Sequence, residues 1–335
     1  MAKFYLMGNT SDCQMFGCVI LTQNKAIVID GGTVDDTDQL VGFLKEHANS
    51  HVDAWFFTHP HYDHIGCFAK IHREDLDITV DQIYHHFPPV ESLFPYSRTE
   101  EETRQYQEIP HWEEDYPVHK VSVGEVFTFD DVSIRVLRVF NPDITDSFVN
   151  NSSVVYRIES PNASLLLLGD LDVSAEKELM ERCPLSLLQA DYTQMSHHGQ
   201  WGVSRSFYEY IHPKRCIWPA PDWLWDNDAG DGFDTGPFQT VRTREWMQVW
   251  ESPSILWKKT AFRQLNSNVI ANLCIKHRSS PFLYDTLKRQ IANLQRRSSY
   301  ETVFRNRFNH RQKERANERT GISGSNTFRS TDKIL

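Results

Sequence analysis

The chain has no apolar run approaching the ~18–20 residues that a membrane-crossing helix needs. It has no CxxC pair: Cys13, Cys18, Cys67, Cys183, Cys216 and Cys274 stand far apart. Scattered thiols in a chain of 335 residues read as reduced core residues rather than a disulfide framework. The segment Met1-Ala2-Lys3-Phe4-Tyr5-Leu6-Met7-Gly8 lacks the apolar core and cleavage site of a secretion signal. A cytoplasmic protein with no membrane partner is therefore expected. Positive charge is scarce in most of the chain. Residues 1–275 hold 21 Lys/Arg against 40 Asp/Glu, a net −19. Residues 276–335 hold 14 against 5, a net +9, so a basic tail follows an acidic body. With 40% hydrophobic and 24% charged residues, the composition is otherwise that of a globular protein able to bury a large core.

What the chain does have is histidine at the ends of apolar runs. Ala54-Trp55-Phe56-Phe57 is short, continuous and aromatic, which predicts a buried strand. Thr58-His59-Pro60-His61-Tyr62-Asp63-His64 follows at once, on the turn after that strand. Neutral imidazoles and ionised carboxylates are ligands for zinc, manganese or iron, and this many in one turn suffice for two ions. Histidine is 15 of 335 residues, so three at this spacing around one aspartate is a poor accident.

Further strands are read at residues 4–7, 18–22 and 25–30, the last ending in Asp30-Gly31-Gly32. Asp30 is either a plain turn residue or an acceptor that orients a ligating histidine. Helices are expected at residues 35–49, 66–72 and 100–107, a strand at 81–87, and a β-hairpin between 118 and 139 turning at Asp130-Asp131. His85, His86 and His111 are ligand-capable, but strand-end and surface histidines are more often structural.

Two more strands end in metal-ligating chemistry. Leu165-Leu166-Leu167-Leu168 is expected to be covered on both faces, and it runs into Gly169-Asp170. Asp170 reads either as a carboxylate bridging two ions or as a cap for a helix at 173–182, a cap that Asp172 could equally supply. Residues 190–196 form a third strand, ending at His197-His198-Gly199. Sheet geometry gathers such ends along one edge.

These motifs, in this order, resemble the metallo-β-lactamase-fold hydrolase superfamily over roughly residues 1–275. They are most similar to the branch containing the hydrolase domain of the DNA-uptake protein ComEC, with Asn150-Asn151-Ser152-Ser153 before a strand, then Gly169-Asp170, then His197-His198-Gly199. The resemblance implies an α/β fold, a four-layer αββα sandwich with a dinuclear site at one edge. It assigns His59 and His61 to the first ion, Asp63 and His64 to the second, Asp170 as the bridge, and one of His197 and His198, taken as His198, to the second ion. It implies two divalent ions, zinc foremost with manganese or iron as alternatives, and a hydroxide activated between them. His197 then stands on the substrate side, and Asp63 and His197 carry the catalytic roles. Many members carry another histidine where this chain has Asn150 and Asn151, which leaves the first ion short of one nitrogen ligand and the asparagines as its neighbours.

The expected reaction is hydrolysis of a phosphodiester or related phosphate ester, on a small-molecule or nucleic-acid substrate. The alternatives are thioester or lactone hydrolysis, and a non-catalytic nucleic-acid-associated binding protein. Trp201, Trp218, Trp223 and Trp225 after the last ligand read as a surface loop with core tryptophans, or more sharply as a rim for substrate stacking. In the tail, residues 286–312 have amphipathic helical spacing and residues 320–335 the composition of a disordered end. The extension at 276–335 is therefore expected to be partly helical, and its charge makes nucleic-acid contact one of its expected uses.

Overall fold

Trp55 and Phe56 face opposite sides of their strand, as the two-residue period of a β-strand requires, and both faces are covered. The Phe56 ring lies 5.7 Å from Phe127 and 5.5 Å from Tyr156, both on a second sheet. The Trp55 ring lies 4.9 Å from Phe68, on the helix Tyr62–Glu74. A strand buried from both sides can be apolar throughout, which explains the continuous run in the sequence. The computed structural model describes residues 1–249, 254–256 and 263–265. Cys274 and the basic extension at 276–335, with its expected helices and disordered end, lie outside them. The described residues all belong to one unit, residues 1–270.

Two seven-stranded sheets form the middle layers. The first runs in the order Arg263–Gln264, Lys3–Leu6, Gly17–Leu21, Ala26–Asp30, Ala54–Phe56, Ile83–His85, Val118–Lys120. The second runs Ser254–Leu256, Cys216–Trp218, Tyr192–Gln194, Ala163–Leu167, Val155–Ser160, Val132–Arg138, Val126–Phe129. Each is antiparallel at one side and parallel at the other. In the parallel parts, Ala54–Phe56 and Tyr192–Gln194 release their chains towards the same edge of the sandwich as Ala163–Leu167. Two bonds stitch the sheets together there: Tyr156 Oη donates to the Phe57 carbonyl at 3.0 Å, and the Val154 amide to the Thr58 carbonyl at 2.8 Å.

Helices close the outer faces. Leu165 and Leu167 join the apolar core between the sheets, whereas Leu166 and Leu168 join a second core with Leu179 and Phe207 from the helices Val173–Arg182 and Arg205–Ile211. The four leucines are thus covered on both faces. The αββα sandwich expected from the sequence is the fold observed.

Boundaries differ in informative ways. The second helix begins at Tyr62 rather than at Gly66, so Asp63 and His64 sit in its first turn. The turn is closed by the His64 and Ile65 amides, which both donate to the His61 carbonyl, at 2.9 and 3.0 Å. The polar helix continues to Asp115 through Pro110, because Tyr106, Ile109 and Trp112 bury one face of it. Residues 118–120 pair in the first sheet, and only Val126–Phe129 and Val132–Arg138 make the hairpin. Asp172, not Asp170, caps the helix Val173–Arg182: its carboxylate accepts the Val173 amide at 2.7 Å. Of the five described cysteines none is disulfide-bonded, and Cys18, Cys67, Cys183 and Cys216 are buried.

Candidate metal centre

Three strand ends converge on Asp170, which is 1% exposed. His64 Nε2 lies 3.3 Å from its Oδ1, while His198 Nε2 lies 3.4 Å, His59 Nε2 3.6 Å and His197 Nε2 3.7 Å from its Oδ2. Asp63 Oδ2 is 3.1 Å from His198 Nε2. Donor atoms of Asp63, His64, Asp170 and His198 all fall within 4.8 Å of one another, and so do those of His59, His61 and Asp170. Two potential ion sites therefore share one carboxylate.

The inward-facing atoms fit metal ions better than they fit each other. His64 Nε2, His198 Nε2 and both Asp170 oxygens are buried without a hydrogen-bond partner, because their close approaches are not aligned as hydrogen bonds. Several such orphans in one pocket are rare in native proteins unless an ion or solvent completes them. His59 Nε2 and His61 Nδ1 face each other at 3.0 Å, an approach that needs a proton or a cation between the lone pairs.

The outward-facing atoms are tied down. Asp30, at the end of its strand, accepts the Thr58 amide at 2.7 Å and the Thr58 hydroxyl at 2.8 Å, and its Oδ2 lies 2.8 Å from His64 Nδ1. His59 Nδ1 lies 3.1 Å from Thr58 Oγ1. His198 Nδ1 donates to the Pro219 carbonyl at 2.7 Å, which leaves Nε2, aimed inward, as the nitrogen that an ion would take in exchange for its proton. The Asp170 amide donates to Ser153 Oγ at 3.0 Å. Gly169 has φ of +56°, and a Cβ there would meet Ser153 Oγ at 2.7 Å, so glycine is required before Asp170.

The last strand end is strained. His197 and His198 have φ of 49° and 57°, left-handed values that cost non-glycine residues of the order of 1–3 kcal/mol each. Hydrogen bonds hold the turn in place: the His197 amide to the Gly169 carbonyl at 3.1 Å, the Ser196 amide to Tyr208 Oη at 3.1 Å, and the Gln200 amide to the His197 carbonyl at 2.9 Å. The strain sends adjacent imidazoles different ways. The His198 side chain is wholly buried, whereas that of His197 keeps 15% of its surface open to solvent.

Electrostatics divide the cluster. Burial opposes charge on His64, but Asp170 and Asp30 outweigh it and hold the imidazole well above its ordinary range. Burial likewise opposes charge on His198, and Asp170 and Asp63 still lift it to about 9. Burial dominates at His59 and His61, which are pushed down, and takes His197 down to about 4. Burial would raise both carboxylates, but the imidazoles around them prevail: His198 and His64 hold Asp63 below the usual carboxylate range, and the same pair with His197 does so at Asp170. Without ions, the carboxylates of the second site, with Asp30, favour the protonated form of His64 and His198, and those imidazoles in turn favour the ionised carboxylates.

Other expected residues are placed differently. Asn151 is structural: its Oδ1 accepts the Asp172 amide at 2.9 Å and its Nδ2 donates to the Asp146 carbonyl at 2.8 Å. Asn150 is buried with Oδ1 unpartnered. His85 is a buried strand-end residue, His86 Nδ1 lies 2.6 Å from the Val121 carbonyl, and His111 pairs with Glu114; none belongs to either donor group. The tryptophans divide: Trp218 is core, Trp225 packs on it, Trp223 Nε1 donates to the Asp12 carbonyl, and Trp201 alone of the four is largely exposed. Two residues outside every motif reach the centre: Gln14 donates to Asp63 Oδ2 at 3.1 Å, and Gln200 donates to Gln14 Oε1 at 2.9 Å.

A sequence profile of the metallo-beta-lactamase superfamily matches residues 18–215. ComE operon protein 3 of Bacillus subtilis (strain 168) is 29% identical over 182 residues, which are 53% of this chain but only 21% of that protein. This is the ComEC-like branch that the motifs indicated. Among solved structures, the metallo-beta-lactamase fold protein YhfI from Bacillus subtilis aligns at TM-score 0.48 and 12% identity, over 78% of this chain and all of that one. A diphosphatase of the PhnP family aligns at TM-score 0.41 and 15% identity, over 69% and 93%. Among the described residues no helix is long and apolar enough to cross a membrane. With its profile match, its αββα sandwich and its edge of histidines and aspartates, the chain belongs to the metallo-beta-lactamase superfamily.

Proposed function

We propose that the chain is a metal-dependent hydrolase that holds two divalent ions and cleaves a phosphodiester or related phosphate ester. One observation carries this reading: two donor groups share Asp170, with the inward-facing atoms of His64, His198 and Asp170 buried and unpartnered. His59 and His61 would hold one ion, Asp63, His64 and His198 the other, and Asp170 both. Zinc suits the nitrogen-rich set, and manganese or iron remain compatible with its carboxylates. Ions bound there would polarise a phosphoryl oxygen and lower the pKa of water, as two-metal sites do in phosphate-ester hydrolysis.

The protein's own part is orientation. Asp30 and the Pro219 carbonyl fix the ring faces of His64 and His198. His197, the cluster's partly open imidazole, is held neutral by burial near pH 7. It is suited to donate a hydrogen bond to a phosphoryl oxygen rather than to act as a strong acid.

The test combines metal analysis of purified protein with turnover of bis(p-nitrophenyl) phosphate, a lactone and a thioester. Phosphodiester turnover is expected to exceed the other two, and Asp63→Ala and Asp170→Ala to lose at least about 100-fold, since even a ligand's outer partners contribute 10–100-fold. Preference for the lactone or thioester would replace the substrate class while keeping the centre. Metal-free protein without turnover, but with salt-sensitive nucleic-acid binding, would leave a binding protein.

A further inference from the structure

We infer that Gln14 is a positioning residue for Asp63, and that Gln200 acts through it. This rests on the metal reading above. Gln14 Nε2 donates to Asp63 Oδ2 at 3.1 Å, and that same oxygen lies 3.1 Å from His198 Nε2. Gln14 Oε1 accepts from Gln200 Nε2 at 2.9 Å. An ionised carboxylate only accepts, so Gln14 must turn its amino group to Asp63, and its oxygen is left to meet a donor. Gln200 is that donor, and it is 6% exposed. Both ends of the Gln14 amide are thereby fixed, and with them the tilt of the Asp63 carboxylate.

The relay joins three segments that the sequence keeps apart. Gln14 and Gln200 are 186 residues apart, and Gln200 directly follows the strained His197-His198-Gly199 turn. The segment carrying Gln14 is held independently: the Phe16 amide donates to the Asp63 carbonyl at 3.1 Å, and Trp223 Nε1 to the Asp12 carbonyl at 2.7 Å. Residue 14 can therefore lose its amide without releasing its backbone. The consequence falls on one ion site only, because Asp63 belongs to the group with His64 and His198 and not to the group with His59 and His61.

The experiment is a titration of chelator-treated protein with Zn²⁺ against a chromophoric chelator, on wild type, Gln14→Met, Gln200→Met and the double variant, with melting of the ion-free proteins alongside. Gln14→Met keeps the length of the side chain and removes the amide. It is expected to weaken one of two Zn²⁺ sites by about 10–100-fold and leave the other unchanged, with a lower ion-free melting temperature from the unpaired Gln200 amide but a folded protein. Gln200→Met, which leaves residue 14 intact, should weaken the same site less, and the double variant should be no weaker than Gln14→Met. Equal weakening of both sites, additive losses, or two undisturbed sites in both single variants would overturn the relay while leaving the metal centre standing. Wild-type protein that takes up no ion overturns the metal reading, and this inference with it.

Discussion

Asp30 Oδ2 lies 2.8 Å from His64 Nδ1, and the same carboxylate accepts both the amide and the hydroxyl of Thr58. One buried side chain thus sets the ring of His64 and, through Thr58, the start of the segment that carries His59 and His61. Asp30→Asn replaces one of these acceptor oxygens with a donor. The expected outcome is a 10–100-fold loss of affinity at the ion site containing His64, with about 1–3 kcal/mol of lost stability from the mismatched buried group. Zn²⁺ titration and urea unfolding of the variant read the two effects separately.

Ion uptake should expel protons. Asp170 and Asp63 overcome burial to raise His198 to about 9, so the ion-free imidazole is protonated at pH 7, whereas a ligating nitrogen must be bare. Below about pH 9 the apparent Zn²⁺ affinity should climb as pH rises, by up to about tenfold per unit for each proton displaced. Calorimetry at pH 7 in buffers of differing ionisation enthalpy counts those protons. A binding enthalpy independent of buffer would contradict the assignment. The same shift has a sign for the ion-free protein: stability from protonated His198 is fully present below about 6.5 and is lost as pH rises towards 9.

His85 predicts the opposite slope, away from the centre. Burial, with Lys120 and His86 adding to it, lowers His85 to about 3, and its Nδ1 accepts the Phe87 amide at 3.1 Å. Between roughly pH 6.5 and 3 the unfolded chain binds a proton that the folded chain refuses. Stability therefore falls as pH drops through that window, by up to about 1.4 kcal/mol per unit. Urea unfolding at pH 7 and pH 5 should show a shallower decline in His85→Asn than in wild type; parallel declines would remove His85 as the source.

Gly66→Ala sets helix propensity against packing. Alanine is the better helix former by about 1 kcal/mol, but a Cβ at position 66 would meet the Val34 amide nitrogen at 2.7 Å and Thr33 backbone carbon at 2.8 Å. Backbone cannot swing aside as a side chain can, and overpacking costs about 1–3 kcal/mol. A net loss of about 1–2 kcal/mol is expected, read as a lower melting temperature of the ion-free protein; a rise would mean that the two segments can separate cheaply.

The legible part of this protein lies where chemistry and periodicity coincide. Buried strands announce themselves by continuous apolar runs, and Asp30, His59 and Asp170 stand within two residues of the ends of such runs, so that much of one edge of the sandwich is legible in the sequence, whereas His198 follows the mixed strand Tyr192–Gln194. The start of the ligand helix was harder to place, because Tyr62-Asp63-His64 reads as a turn until the helix Tyr62–Glu74 is seen to pack over the first sheet. Gln14, Gln200 and the Pro219 carbonyl left no signal. Their roles arise from loop contacts between distant segments, and a glutamine in a loop has no period to betray it. Asn150 and Asn151 carried a signal of mixed meaning: Asn151 holds the chain around Asp172, while Asn150 Oδ1 is buried without a partner.

The shared position of Asp170 is the most exposed part of the account to experiment. Metal content should be measured on wild type, His61→Ala and Asp170→Ala after Zn²⁺ loading and desalting. Two ions per chain in wild type, one in His61→Ala and a loss at both sites in Asp170→Ala are predicted. One ion in wild type, or two retained in Asp170→Ala, would contradict a centre built on that carboxylate.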